Sequence, residues 1–231
     1  MFIPATRNCL TGIVTLKVKK YLIFSQKSNI IRPNGANMIY SFDSLKLKFS
    51  NYANIKDKIS REIQAGRLIP ITRGLYETEA STPGKYLAGR ICGPSYLSFD
   101  YALANYGLIP EAVYNTYTSA SFKKRKAKTY QNQFGTFLYR DVPANVYHLG
   151  IRLVEENGYS YQIATPEKAL CDKLYSLSPV QNVKELRELL FEDLRIDEDE
   201  FWKLNLADIA ELAPLYRSTN LKLLAKLIRK Y

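Results

Sequence analysis

The stretch Asn54–Thr78, NIKDKISREIQAGRLIPITRGLYET, leaves little freedom in what it can fold into. Ile55, Ile59 and Ile63 recur every four residues and so share one face of a helix. Asp57, Ser60, Arg61 and Gln64 fall on the opposite face, with Lys58 at its edge. Asn54 suits the N-cap, and Asp57 three residues on gives an imperfect capping box. Gly66 stands where a helix ends, because glycine takes the left-handed conformation at little cost. Arg67–Ile71 and Leu75–Thr78 then read as β-runs joined by Thr72-Arg73-Gly74, a three-residue hairpin signal. Upstream, Phe42, Leu45 and Phe49 at helical spacing predict another helix from about Phe42, packed on the isoleucine face.

A helix followed by a basic hairpin is the layout of a winged helix-turn-helix, although only two of the usual three helices are clear here. In that layout the helix offers side chains to base edges and the wing sets cations against phosphate. The candidate DNA contacts are Lys56, Lys58, Ser60, Arg61 and Gln64 on the helix, with Arg67 and Arg73 on the wing. Arg61 and Gln64 have the chemistry to read base edges. Each wing arginine should add roughly one unit to the salt slope of binding. The bland alternative is a helix–hairpin unit with a solvated charged face.

Charge is unevenly spread. The net charge is +11, yet residues 1–37 carry six cations and no acids, while residues 151–231 carry twelve cations and fourteen acids. Basic character is therefore concentrated before residue 150, as phosphate neutralisation requires, although net charge also serves solubility. A second basic cluster lies between predicted strands at 113–150: Lys123, Lys124, Arg125, Lys126 and Lys128. It reads either as a solvated hairpin tip or as a second contact for nucleic acid or an acidic partner.

Further along, Ser81-Thr82-Pro83-Gly84 reads as a linker and Lys85–Ile91 as a short helix or extended segment. Ser98 is a plausible cap for a helix carrying Tyr101, Leu103, Ala104 and Leu108. Asn157-Gly158 is a strong two-residue hairpin turn within Val154–Ile163. Thr165-Pro166-Glu167 opens a helix with a threonine cap, proline at the first position and an acid in the first turn. In that helix Glu167 and Asp172 are expected to pair with Lys168 and Lys173. Helices are expected over Lys184–Leu194, Asp199–Leu206, Asn205–Leu215 and Asn220–Lys230. The last is basic and amphipathic, and packing on a core is its commoner use, so no membrane partner is expected.

Several passages together resemble the AbiEi family, antitoxins of bacterial abortive-infection (type IV) toxin–antitoxin systems. They are "IQAGRLIPITRGLYE", "SYLSFDYALANYGLIPE", "FGTFLYRDVP", "YQIATPEKALCDKLY" and the leucine-rich ending, spread from about Met38 to Tyr231. The resemblance implies an α+β protein, with an N-terminal winged helix-turn-helix at 38–79 followed by a mixed α/β antitoxin-type domain at 85–231. It implies binding to double-stranded DNA at inverted repeats in its own promoter, repression of the operon, and a nucleotidyltransferase-like toxin as functional counterpart. Residues 1–37 fall outside it. They are expected to be either upstream sequence ahead of a true start at Met38, or a basic arm.

The tools of an enzyme are sparse. His148 is the one histidine, and Cys9, Cys92 and Cys171 lack the paired spacing of a zinc site. Three scattered cysteines suit a reducing cytoplasm. There is no GxGxxG or Walker loop. Asp197–Asp199 with Glu200 resembles a helix cap more than a metal site. The expectation is a cytoplasmic, non-enzymatic protein with no cofactor and no metal. The other class in view is a protein-interaction module that neutralises a partner by direct binding.

Overall fold

The computed structural model describes residues 39–110 and 114–229, so the expectations for 1–37 and for a start at Met38 lie outside the described residues. The fold is mixed α+β. It begins with β1 (Tyr40–Ser41), α1 (Phe42–Lys48), α2 (Ile55–Gln64), β2 (Ile69–Thr72) and β3 (Leu75–Glu77). The Ser41 hydroxyl accepts from the Ser44 N–H at 3.1 Å, and Asn54 Oδ1 accepts from the Asp57 N–H at 3.3 Å, so both helices are capped as their sequences ask. Gly66, at φ +69°, closes α2 in the left-handed region.

The strands form an antiparallel sheet in the order β1-β3-β2. The hairpin turn is one residue shorter than its sequence suggests. Thr72 pairs with Leu75, leaving Arg73 and Gly74 as the turn, and the register slips between Pro70 and Thr72. Pro70 has no N–H to give to the ladder, which suits an irregularity at that point. The faces of α1 and α2 meet as expected: Leu45, Ile59 and Leu68 are buried, with Phe42, Phe49, Ile55 and Ile63 packed around them. On the other side of the small sheet, Ile71 belongs to the larger core, and Ile69 and Leu75 pack against it.

The turn-forming residues 81–84 do not act as a free linker. Thr82 and Gly84 are buried. Tyr159 Oη donates to Glu77 Oε2 at 3.2 Å and lies 3.4 Å from Thr82 Oγ1. The Gly84 N–H donates to Tyr117 Oη at 3.1 Å. Tyr86 stacks on Tyr159 at 4.6 Å, and Lys85 pairs with Glu156 at 2.6 Å. Local composition asks for a turn, but aromatic partners far along the chain hold the segment down as a strap.

Beyond a 3-10 turn at Gly84–Tyr86 come α3 (Ala88–Ile91), β4 (Ser95–Leu97), α4 (Phe99–Asn105), β5 (Thr116–Ser121), β6 (Lys128–Asn132), β7 (Gly135–Asp141), β8 (Ile151–Glu156) and β9 (Tyr159–Ala164). These strands form one sheet in the order β6-β7-β5-β4-β9-β8. The β5/β7 and β4/β9 pairs are parallel, the rest antiparallel. Every residue of β4 is buried, which explains why Ser-Tyr-Leu shows no alternation. Asn157 and Gly158 make the two-residue turn between β8 and β9 with φ of +49° and +81°.

The helical part comprises α5 (Pro166–Tyr175), α6 (Val183–Glu188), α7 (Glu198–Trp202), α8 (Leu206–Leu212) and α9 (Thr219–Ile228). The Thr165 cap and Pro166 start of α5 form as their sequence predicts. The single helix expected at Lys184–Leu194 is instead α6 followed by a π turn, Leu189–Asp193. Asp197 caps α7 by accepting from the Glu200 N–H at 2.9 Å. In α9, Leu221, Leu224, Leu227 and Ile228 are buried in the core. Among the described residues no helix is long and apolar enough to cross a membrane.

Candidate nucleic-acid interface

Of the seven candidates on α2 and the hairpin, five stand free. Lys56, Ser60, Arg61 and Gln64 are exposed on α2, and Arg73 is exposed at the hairpin turn. Lys56, Ser60 and Gln64 follow at intervals of four, with Arg61 beside them, so they line one exposed strip along α2. The Asn54 cap and the Gly66 stop set the ends of that face.

Lys58 and Arg67 are placed differently, because a residue outside the candidate set holds both. Glu62 is buried, with 8% of its surface exposed. Its Oε2 accepts from Arg67 Nε at 2.6 Å and its Oε1 from Arg67 Nη2 at 3.0 Å, a two-pronged grip. Lys58 Nζ lies 2.7 Å from Glu62 Oε1 and 4.7 Å from the centre of the Tyr52 ring. The hydrogen bonds from Arg67 and then Lys58 hold the Glu62 carboxyl down to about 2, against the opposing effect of burial. The bond with Glu62 raises Lys58 in turn. The four-residue spacing of Lys58 and Glu62 was a legible signal for half of this arrangement. The Arg67 grip depends on how the chain turns at Gly66 and has no comparable signature.

The second basic cluster is not a hairpin tip. β7 lies between β5 and β6, so Phe122–Ala127 crosses over the end of β7. Asp141 organises the crossover: its Oδ2 accepts from the N–H groups of Lys124 and Arg125 at 2.7 and 2.8 Å, and its Oδ1 from Ser121 Oγ at 2.8 Å. Lys123 and Arg125 adopt φ of +58° and +66° to make these bonds. Lys124 Nζ donates to the Gly93 carbonyl at 2.9 Å and is partly buried, as is Lys128. Lys123, Arg125 and Lys126 remain exposed. The two clusters are not merged. Asn132 Nδ2 reaches the Ile71 carbonyl of the hairpin at 2.9 Å, whereas Lys128 lies at the far end of β6, about 13 Å further along at the usual strand rise.

Two other groupings bear on chemistry. Lys168 and Asp172 are fully buried and form an ion pair at 2.9 Å. Tyr216 Oη donates to Asp172 Oδ1 at 2.5 Å, and Ser98 Oγ and Tyr96 Oη donate to Oδ2 at 2.7 and 3.0 Å. Ser98 spends its hydroxyl here, and α4 has no side-chain cap. With no exposed surface on either charge, this network joins β4, α5 and the turn after α8 but offers nothing to a substrate. Lys173 pairs instead with Asp100, and Glu167 accepts from the Asn205 N–H. A shallow cleft of about 70 Å³ lies between Phe99, Thr118, Arg140 and Lys173, well below the several hundred Å³ of a small-molecule site. Among the described residues no group of three or more His, Cys, Asp or Glu is arranged to hold a metal. Cys92 and Cys171 are buried and free, and burial pushes the Cys171 thiol well above its ordinary value. The chain matches no protein-family model. No curated protein matches it either.

Proposed function

We propose that residues 38–79 form a winged helix that binds double-stranded DNA, with α2 entering the major groove and the Arg73 turn resting on the backbone. In this reading α1 and α2 with their hairpin are the winged unit, and the protein acts by binding rather than by catalysis. The observation that carries it is the exposed row Lys56, Ser60, Arg61 and Gln64, which have no side-chain partners among the described residues, immediately ahead of a hairpin with an exposed arginine at its turn. Cationic and amide side chains left unsatisfied on a capped, rigid helix suit base-edge and phosphate contact. The resemblance extends the reading to an antitoxin-type repressor of its own operon that counteracts a nucleotidyltransferase-like toxin.

The test is a fluorescence-anisotropy titration of the full chain against DNA from upstream of its own gene and against random DNA, at several salt concentrations. Arg61→Ala should weaken binding to the upstream DNA by about five- to a hundred-fold while barely changing random binding. Arg73→Ala should lower the salt slope by about one on both DNAs. Binding no better than to random DNA, and indifferent to both substitutions, would refute the repressor. The antitoxin role predicts that co-expression relieves growth arrest caused by a neighbouring gene's product, and a toxin left unopposed would count against it.

A further inference from the structure

The cations that a DNA-binding surface displays are normally free to pair with phosphate. Here two of them, Lys58 and Arg67, share one buried carboxylate. We propose that Glu62 is a positioning residue that withholds the charge of Lys58 and Arg67 from non-specific phosphate attraction while fixing the direction in which Arg67 can donate. This rests on the DNA-binding reading above and deepens it.

The geometry supports both halves of the claim. Arg67 is tied at two points, since its backbone N–H also donates to the Glu62 carbonyl at 2.9 Å. Its guanidinium gives Nε–H and one Nη2–H to the carboxylate, which leaves three of its five N–H groups pointing away. The side chain is 63% exposed, so those donors reach solvent. Lys58 is caught between Glu62 and the faces of Tyr52 and Phe49, with 20% of its side chain exposed. Two positive charges and one negative act as a single charge beyond hydrogen-bonding range. Affinity for any phosphate backbone depends on the number of cations free to displace counterions, whereas a contact made through fixed donors depends on register. Glu62 therefore trades general attraction for directed contact, and the selectivity of α2 gains by it.

Glu62→Gln keeps the shape and removes the charge. Measured on random DNA over a range of salt, the variant should show a slope steeper by roughly one, about 0.9 for the one net charge gained. Binding to random DNA should tighten several-fold at low salt, and the ratio of upstream to random affinity should fall at least threefold. An unchanged or shallower slope in the variant, beside a wild type that binds its upstream DNA selectively, would overturn the role of Glu62 and leave the DNA reading intact. Absence of DNA binding by both proteins would overturn both. Should Glu62→Gln melt far below the wild type, the triple variant Lys58→Ala/Glu62→Gln/Arg67→Ala decides, since it leaves no bare carboxylate. The proposal expects the three changes together to lower the random-DNA slope by about one, the net charge of the group, and a loss of about two would overturn it.

Discussion

Removing Asp172 should hurt the protein more than removing Lys168, although the two form one buried ion pair. The Asp172 carboxylate accepts from four donors: Lys168 Nζ, Tyr216 Oη, Ser98 Oγ and Tyr96 Oη. Burial, and after it the adjacent carboxylate, push both phenols up, so they remain donors at any ordinary pH. In Lys168→Met the carboxylate keeps three hydroxyl donors, and hydrogen bonds to the charged form favour it. In Asp172→Ala the ammonium keeps only the Tyr216 oxygen at 2.5 Å and the faces of two tyrosine rings at 4.8 and 5.7 Å. Ser98 and Tyr96 lose their acceptor as well. Breaking a buried pair costs about 3–5 kcal/mol, and each stranded hydroxyl adds about 1–3 kcal/mol before relaxation. The expected loss is at least about 4 kcal/mol for Asp172→Ala and about 2–3 kcal/mol for Lys168→Met. Urea unfolding followed by the single tryptophan, Trp202, reads both, with melting temperature as a check at about 2–4 °C per kcal/mol. Equal losses, or a larger loss in Lys168→Met, would refute the argument that the shared acceptor holds the network.

Two further outcomes follow from the strap and from Glu62. A Cβ on Gly84 would lie 2.2 Å from Tyr117 Cε2, in a ring stacked 5.2 Å from Phe137, so Gly84→Ala should cost about 2 kcal/mol or more. Gly66→Ala meets nothing within 4 Å and pays only for its φ of +69°, about 1 kcal/mol, and thermal melts should rank the pair in that order. The Glu62 carboxyl sits at about 2 in the folded protein against an ordinary 4.5, so its contribution is complete above pH 4.5 and disappears as pH falls towards 2. The stability gap between wild type and Glu62→Gln should be flat above pH 5 and close below pH 4.5 in urea titrations. A constant gap across that range would show that the ionisation of Glu62 contributes nothing to stability.

What could be read from the sequence was local. Asn54, Gly66, Thr165-Pro166 and Asn157-Gly158 each specify a cap, stop or turn through their own backbone preferences, and each is found where expected. The exposed row on α2 follows from helical period alone. The sheet order was not legible, because parallel pairing joins β4 to β9 and β5 to β7 across long separations and no turn residue encodes it. The same limit hid the strap, since Gly84 is buried by Tyr117 and Thr82 by Tyr159. Lys168 and Asp172 were visible as neighbours on one helix. Their burial was not, since it depends on Tyr216, which arrives 44 residues later.

The strap also sets an order of assembly. A ribosome releases α1, α2 and the small hairpin first, yet the partners that pin the hairpin's exit, Tyr117 and Tyr159, are still to be translated. β4 likewise keeps an open edge until Ile163 of β9 has emerged to pair with Leu97. Long-range pairing is slow, and half-made edges invite misassembly during synthesis. The nascent helix–hairpin unit therefore waits, with one side of its sheet bare, for the last strand of a neighbouring sheet. A chain cut short before β9 would display α2 without the anchor that orients it, so complete synthesis doubles as a check on which copies hold the helix–hairpin unit in place.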